Sequence, residues 1–185
     1  MMSAPSKAVV LIGLRGAGKT SLGRRLAETL GLRFEDLDDL ALADCAEASI
    51  AEVFSSRGES AWRTAEAHAF SSALSRGVEI LALGGGAPMT DAIRDRLQAG
   101  REAGTLTVIW LDAPDAILAE RIGAHDDARP ALLSDEDGQE ATPEQETSAL
   151  RERRAPVFAA LADTLIDTTA APSSVLEDLV KAAGS

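Results

Sequence analysis

Two stretches of the chain, Val9 to Ile12 and Val78 to Leu83, are apolar with little alternation, the pattern of strands buried on both faces of a parallel sheet. Thr105 to Leu111 is a third clear strand, and the shorter Arg33–Asp36 and Thr164–Asp167 add two more. Between them the spacing changes to that of helices. Leu22, Leu26, Ala27 and Leu30 share one helical face, and Gly31 ends it. Ser49 and Glu52 form a capping box for a short helix over 49–57, and Gly58 stops it. A longer helix runs from Glu59 to about Ser75, with Trp62 and Arg63 near its start. Residues 91–99 read as a surface helix, and Ala113-Pro114 opens another that reaches about Arg121. The last two helices end near Ala162 and Ala183, the first of them carrying Arg151, Arg153 and Arg154.

Strands alternating with helices predict an α/β, three-layer architecture: a parallel sheet of about five strands with helices on both faces. No repeat or linker divides it, so residues 1–185 are expected to form a single domain. Residues 123–148 depart from the pattern. They are rich in Gly, Asp, Glu, Ser and Pro, with Arg129-Pro130 near the start, and are longer than an ordinary connection. A lid is one reading, and plain disorder over 134–143 is the other.

Ligands of such sheets gather at the carboxyl ends of the strands. The first three strands end at Gly13, at Asp36-Leu37-Asp38 and at Gly84-Gly85-Gly86, stretches poorly suited to packing and well suited to chemistry. The first is the most specific. Gly13-x4-Gly18-Lys19-Thr20 follows a strand and opens a helix, the context that the phosphate-binding P-loop requires. Its glycines let successive N–H groups turn toward phosphate oxygens, and the helix adds its positive end. Lys19 is suited to the β- and γ-phosphates, and the Thr20 hydroxyl to Mg²⁺.

Composition narrows the partners. A net charge of −12 argues against nucleic acid, which needs clustered Lys and Arg, but does not exclude a small anionic substrate. Cys45 is the only cysteine, so no internal disulfide is possible and a reducing, cytoplasmic location is expected, with Cys45 as a small buried apolar residue. No apolar stretch is long enough to span a membrane, and Met1–Lys7 lacks the apolar core of a secretory signal.

Taken together, the motifs resemble the shikimate kinase family of small P-loop kinases over nearly the whole chain. The resemblance rests on Gly13-x-x-Gly16-x-Gly18-Lys19-Thr20, Phe34-x-Asp36-x-Asp38, Trp62-Arg63 after Gly58-Glu59, Leu83-Gly84-Gly85-Gly86-Ala87, Arg129-Pro130 and Arg154-Ala155-Pro156. It implies a monomeric, ATP- and Mg²⁺-dependent enzyme that phosphorylates the 3-hydroxyl of shikimate. Gly16, Ala17, Gly18, Lys19, Thr20 and Ser21 would hold the nucleotide, Arg121 would lie against the adenine, and Arg129 would swing from the lid onto the phosphates. Thr20 and Asp36 would serve the metal. Asp38 would meet the hydroxyl to be phosphorylated, within a substrate segment of about 37–65. Arg63 and Arg154 would clamp the substrate carboxylate, a task for which the planar guanidinium fork is suited. Gly84, Gly85 and Gly86 would bring backbone close to the acceptor.

Several readings stand beside these. Asp36 and Asp38 could simply cap the next helix. Trp62 could face the substrate ring or fill the core, His68 reads as a surface or core residue, and Arg151 and Arg153 as a solvated helix face. The run from Asp39 to Ala48 lacks the Glu and Gly usual in the family, and Phe158 replaces its Tyr, which leaves acceptor identity more open than kinase chemistry. A gluconate-type kinase and a regulator without turnover are the rival functions. A GTPase is disfavoured because no Asn-Lys-x-Asp segment occurs.

Overall fold

The computed structural model describes residues 7–124 and 141–184. Five parallel strands among them, β1 (Ala8–Ile12), β2 (Phe34–Asp36), β3 (Ile80–Ala82), β4 (Leu106–Asp112) and β5 (Thr164–Asp167), form one sheet in the order β2-β3-β1-β4-β5. β1 is central, pairing Val10 with Leu81 on one side and with Val108 on the other. Val9 to Ile12 are all fully buried. Successive side chains of a strand point to opposite faces, so helices must cover both faces of the sheet.

Those helices are α1 (Lys19–Leu30), α2 (Leu37–Ala43), α3 (Ile50–Ser75), α4 (Asp91–Glu102), α5 (Asp115–Ala124), α6 (Pro143–Leu161) and α7 (Pro172–Ala183). α1 packs against α7, α2 against α3, and α5 against α6. Gly31 ends α1 in the left-handed region at φ 69°. Ser49 caps α3 through the Glu52 N–H, and the Glu52 carboxylate reaches back to the Ala48 N–H, so the expected capping box is displaced by one residue on its return arm. Gly58, at φ 81° and ψ 166°, breaks α3 into the two helical segments that its position in the sequence predicts. That break turns the second segment so that Trp62 and Glu66 face inward.

Two local features differ from the sequence reading. α2, which the residue pattern did not single out, starts directly after β2 with Asp36 as its N-cap. Cys45 is half-buried rather than buried, its Sγ turned to the Ala41 carbonyl at 3.3 Å. The segment read as a lid or as disorder lies mostly outside the described residues, and Arg129 with it. Its return is described: Thr142 and Gln145 form a capping box that starts α6.

Candidate active site

The loop between β1 and α1 builds the phosphate end of the site. Gly18 takes φ 88° at the N-cap of α1, a conformation that side chains other than glycine rarely adopt, and no side chain caps the helix. This is the geometry in which backbone N–H groups and a helix terminus receive an anion. Lys19 folds back over the loop, donating to the carbonyls of Gly13 at 3.0 Å and Leu14 at 2.9 Å. Ala17 is buried beneath it, and the Ser21 hydroxyl turns to the Gly18 carbonyl at 3.1 Å. The loop's lysine is therefore positioned by the same backbone that would surround the phosphates.

Asp36 has two tasks. Its Oδ1 accepts the Asp38 N–H at 3.0 Å and caps α2, while its Oδ2 accepts the Thr20 hydroxyl at 2.7 Å. The capping reading of this residue is met, and its second oxygen lies beside the phosphate loop. The cap aims Asp38, in the first turn of α2, toward the glycine triplet. A Cβ on Gly84 would collide with the Asp38 carboxylate. Gly85 is confined less severely, since a Cβ there would stand 3.2 Å from an Arg154 nitrogen and 3.3 Å from the Gly13 carbonyl. On Gly86 it would meet the Arg63 guanidinium, 2.5 Å from Nη2 and 2.7 Å from Nη1. Each glycine of the triplet is thus the place where one functional side chain comes against the backbone.

These groups enclose a cavity of about 110 Å³, whose wall includes Asp38, Trp62, Arg63, Glu66, Glu146 and Arg154. Trp62 takes the expected place in the core. It is 2% exposed in the core, tilted against Phe54, and still forms part of this wall. A larger cleft of about 670 Å³ at the opposite ends of the strands, around Lys7, Glu79 and Arg96, holds no comparable convergence of charged groups.

Electrostatics inside the small cavity is finely opposed. Burial pushes the Arg154 guanidinium below its ordinary range, the neighbouring Arg63 pushes it further, and Glu59, Glu146 and Glu66 counter. For Arg63, burial acts in the same direction, but the carboxylates of Glu66 and Glu59 outweigh it and hold the pKa above the usual value. Glu66 is 1% exposed. Burial raises its carboxyl above the ordinary range against the lowering pull of Arg63, which it contacts at 2.7 Å. Two partly buried cations, with acid groups behind them, suit an anionic ligand.

Glu66 was missed by the sequence reading. Its one signal is the i,i+3 spacing from Arg63, shared by many solvated helix pairs. Thr168 was missed as well: buried just after β5, it accepts Arg121 at its hydroxyl and carbonyl, at 3.0 and 2.7 Å. The same guanidinium donates to the Gly16 carbonyl at 3.3 Å, which places Arg121 beside the phosphate loop. Arg151 corrects an expectation. It is not part of a solvated face but is bound to Asp112 Oδ2 at 2.6 Å, Asp115 Oδ1 at 2.5 Å and the Ala113 carbonyl at 2.6 Å. Those bonds pin α6 to the end of β4, one helical turn from Arg154. Arg153 is exposed, as expected, and His68 lies on the surface near Asp44.

A parallel sheet with a phosphate loop at its centre, and an acceptor cavity opening beside that loop, defines a P-loop kinase acting on a small molecule. The shikimate kinase family model matches residues 15–183. Among named relatives, the shikimate kinase of Symbiobacterium thermophilum is 38% identical over 160 residues, covering 86% of each chain. That of Bartonella quintana is 36% identical over 159 residues, 86% of this chain and 70% of its own. A solved shikimate kinase from Acinetobacter baumannii, in complex with shikimate, superposes with a TM-score of 0.81 at 30% identity, covering 96% of this chain and 93% of that one. The chain belongs to the shikimate kinase family, and it is an ATP-dependent kinase.

Proposed function

We propose that the chain transfers the γ-phosphoryl group of ATP to the 3-hydroxyl of shikimate, giving shikimate 3-phosphate and ADP. One observation carries the reading: Asp38, Arg63 and Arg154 converge on a single cavity against Gly84–Gly86, and Gly85 is itself packed on the phosphate loop. In this reading a hydroxylated carboxylic acid sets its carboxylate at the arginines and a hydroxyl toward Asp38 and the γ-phosphate.

In this mechanism the backbone of Gly16, Ala17 and Gly18, with Ser21, receives the triphosphate, and Arg121 supports the base. Lys19 exchanges its carbonyl partners for phosphate oxygens and neutralises charge as it spreads over the transferred group. A bond forms between the acceptor oxygen and the γ-phosphorus, and the bond to the β,γ-bridging oxygen breaks. Asp38 accepts the hydroxyl proton, and ADP leaves with the electron pair. Arg63, Arg154 and the backbone of Gly84, Gly85 and Gly86 orient the acceptor. Arg129, from a lid over about 123–148, would help to exclude water.

The oxygen-only pair of Thr20 Oγ1 and Asp36 Oδ2 fits Mg²⁺, which is held by few protein oxygens together with phosphates and water. When bound, the ion supplies charge neutralisation at the phosphates. The one sheet that carries both ends of the site supports a single domain over 1–185, and the enzyme is proposed to act as a monomer. No described helix is long and apolar enough to cross a membrane. The acidic balance disfavours nucleic acid, and the enzyme is proposed to be cytoplasmic and to bind neither membrane nor nucleic acid. The test is ADP release measured over a panel of hydroxylated acids and neutral polyols. Turnover should be highest with shikimate, and equal turnover with gluconate would displace the reading.

A further inference from the structure

Arg63 is already bound to carboxylates on two sides. Nη1 donates to Glu66 Oε2 at 2.7 Å, while Nε at 3.1 Å and Nη2 at 2.7 Å both donate to the same oxygen of Glu59. The remaining edge, between Nη1 and Nη2, lies against Gly86. The two acid partners differ sharply. Glu66 has 1% of its side chain exposed and is fixed, whereas Glu59 has 62% exposed and lies at the rim, just past the Gly58 break. The Nε–Nη2 edge is the side of the guanidinium that meets a carboxylate as a fork. An acceptor carboxylate gains that edge only when Glu59 leaves it.

We propose that Glu59 is a positioning residue, a stand-in carboxylate that occupies the Arg63 fork until the acceptor's own carboxylate displaces it. The proposal rests on the acceptor reading given above. Its chemistry is an exchange of one anion for another at a fixed cation. Glu59 also counters the burial of Arg154, so its charge serves both arginines of the clamp. A carboxylate acceptor restores the charge balance as Glu59 swings into water. A neutral polyol restores nothing and leaves Glu59 in place. Glu59 therefore holds the Arg63 fork in place for a carboxylate at the cost of a modest factor in its binding, and a ligand that brings no anion neither displaces it nor feels its loss.

The test is shikimate binding and steady-state kinetics in wild type and Glu59→Gln, with shikimate and its carboxamide. Glu59→Gln should lower Kd and KM for shikimate about two- to fivefold, the size of one rim ion pair, and leave the carboxamide unchanged. In an Arg63→Lys background, which keeps the charge but loses the fork, the same substitution should change shikimate binding little. Thermal melts establish that each variant folds. Weaker shikimate binding in Glu59→Gln would make Glu59 a support of Arg63 and overturn the proposal. So would an equal gain for both ligands or an undiminished gain in Arg63→Lys, since either means a through-space charge effect. Failure of the acceptor reading has a different signature: wild type itself would neither bind nor phosphorylate shikimate.

Discussion

The two halves of the site are built in opposite ways. The phosphate end is backbone: a six-residue span, Gly13–Gly18, followed by Lys19 and Thr20, where even the lysine is held by carbonyls of its own loop. The acceptor end is side chains drawn from α2, the second segment of α3 and α6, opposed in charge and set against the backbone of the glycine triplet. Backbone recognition depends on conformation and tolerates any sequence that preserves the turn. Side-chain recognition depends on partners, so each acceptor residue relies on another: Arg63 on Glu66, Asp38 on the Asp36 cap, Arg154 on the anchoring of α6.

The largest expected effect separates the halves most cleanly. Lys19→Met should leave the fold and acceptor binding intact and lower kcat by roughly a thousandfold, because it removes the loop's own mobile positive charge at the transferred group. Titration of shikimate onto this variant checks the second half of the statement, and a coupled ADP assay the first. Wild-type-like turnover would break the comparison.

Asp38→Asn should depress kcat by about two orders of magnitude with ATP affinity nearly unchanged, since the amide keeps the shape but accepts no proton. Loss of nucleotide binding would instead assign Asp38 to the phosphate end.

Arg154→Ala should lower kcat/KM for shikimate by roughly one to two orders of magnitude, from the loss of a charge-assisted contact of about 1.5–3 kcal/mol. The shikimate carboxamide should lose little more on this substitution. Equal losses for the two ligands would mean that Arg154 does not meet the carboxylate.

The smallest of these effects tests reliance between residues. Arg151→Met removes the pin to Asp112 and Asp115 without touching the cavity wall. KM for shikimate should rise about three- to tenfold while KM for ATP stays put, and Arg151→Lys should recover part of the loss. A fall in melting temperature with both KM values unchanged would make Arg151 purely structural.

The residue order by itself determined the central strand, the P-loop and the α3 break. Each needs only neighbouring residues: an apolar run that must be buried on both faces, glycines that permit positive φ, and Lys19 and Thr20 carried on the same turn. It also brought Asp38, Arg63, Gly84–Gly86 and Arg154 into view as candidates, through their resemblance to a family, but not through any contact it could compute. What only the tertiary structure decided is pairing across long separations. Arg151 reads as one more cation on a polar helix until packing sets it beside Asp112, 39 residues away. Arg121 finds Thr168 at a separation of 47 residues, and nothing local marks that threonine. Glu66 became an interior acid because the turn at Gly58 faces it inward. A short-range pattern records what a segment can do with its own backbone. Which buried charge meets which partner is decided by desolvation and proximity, and those exist only once the sheet has brought distant segments together.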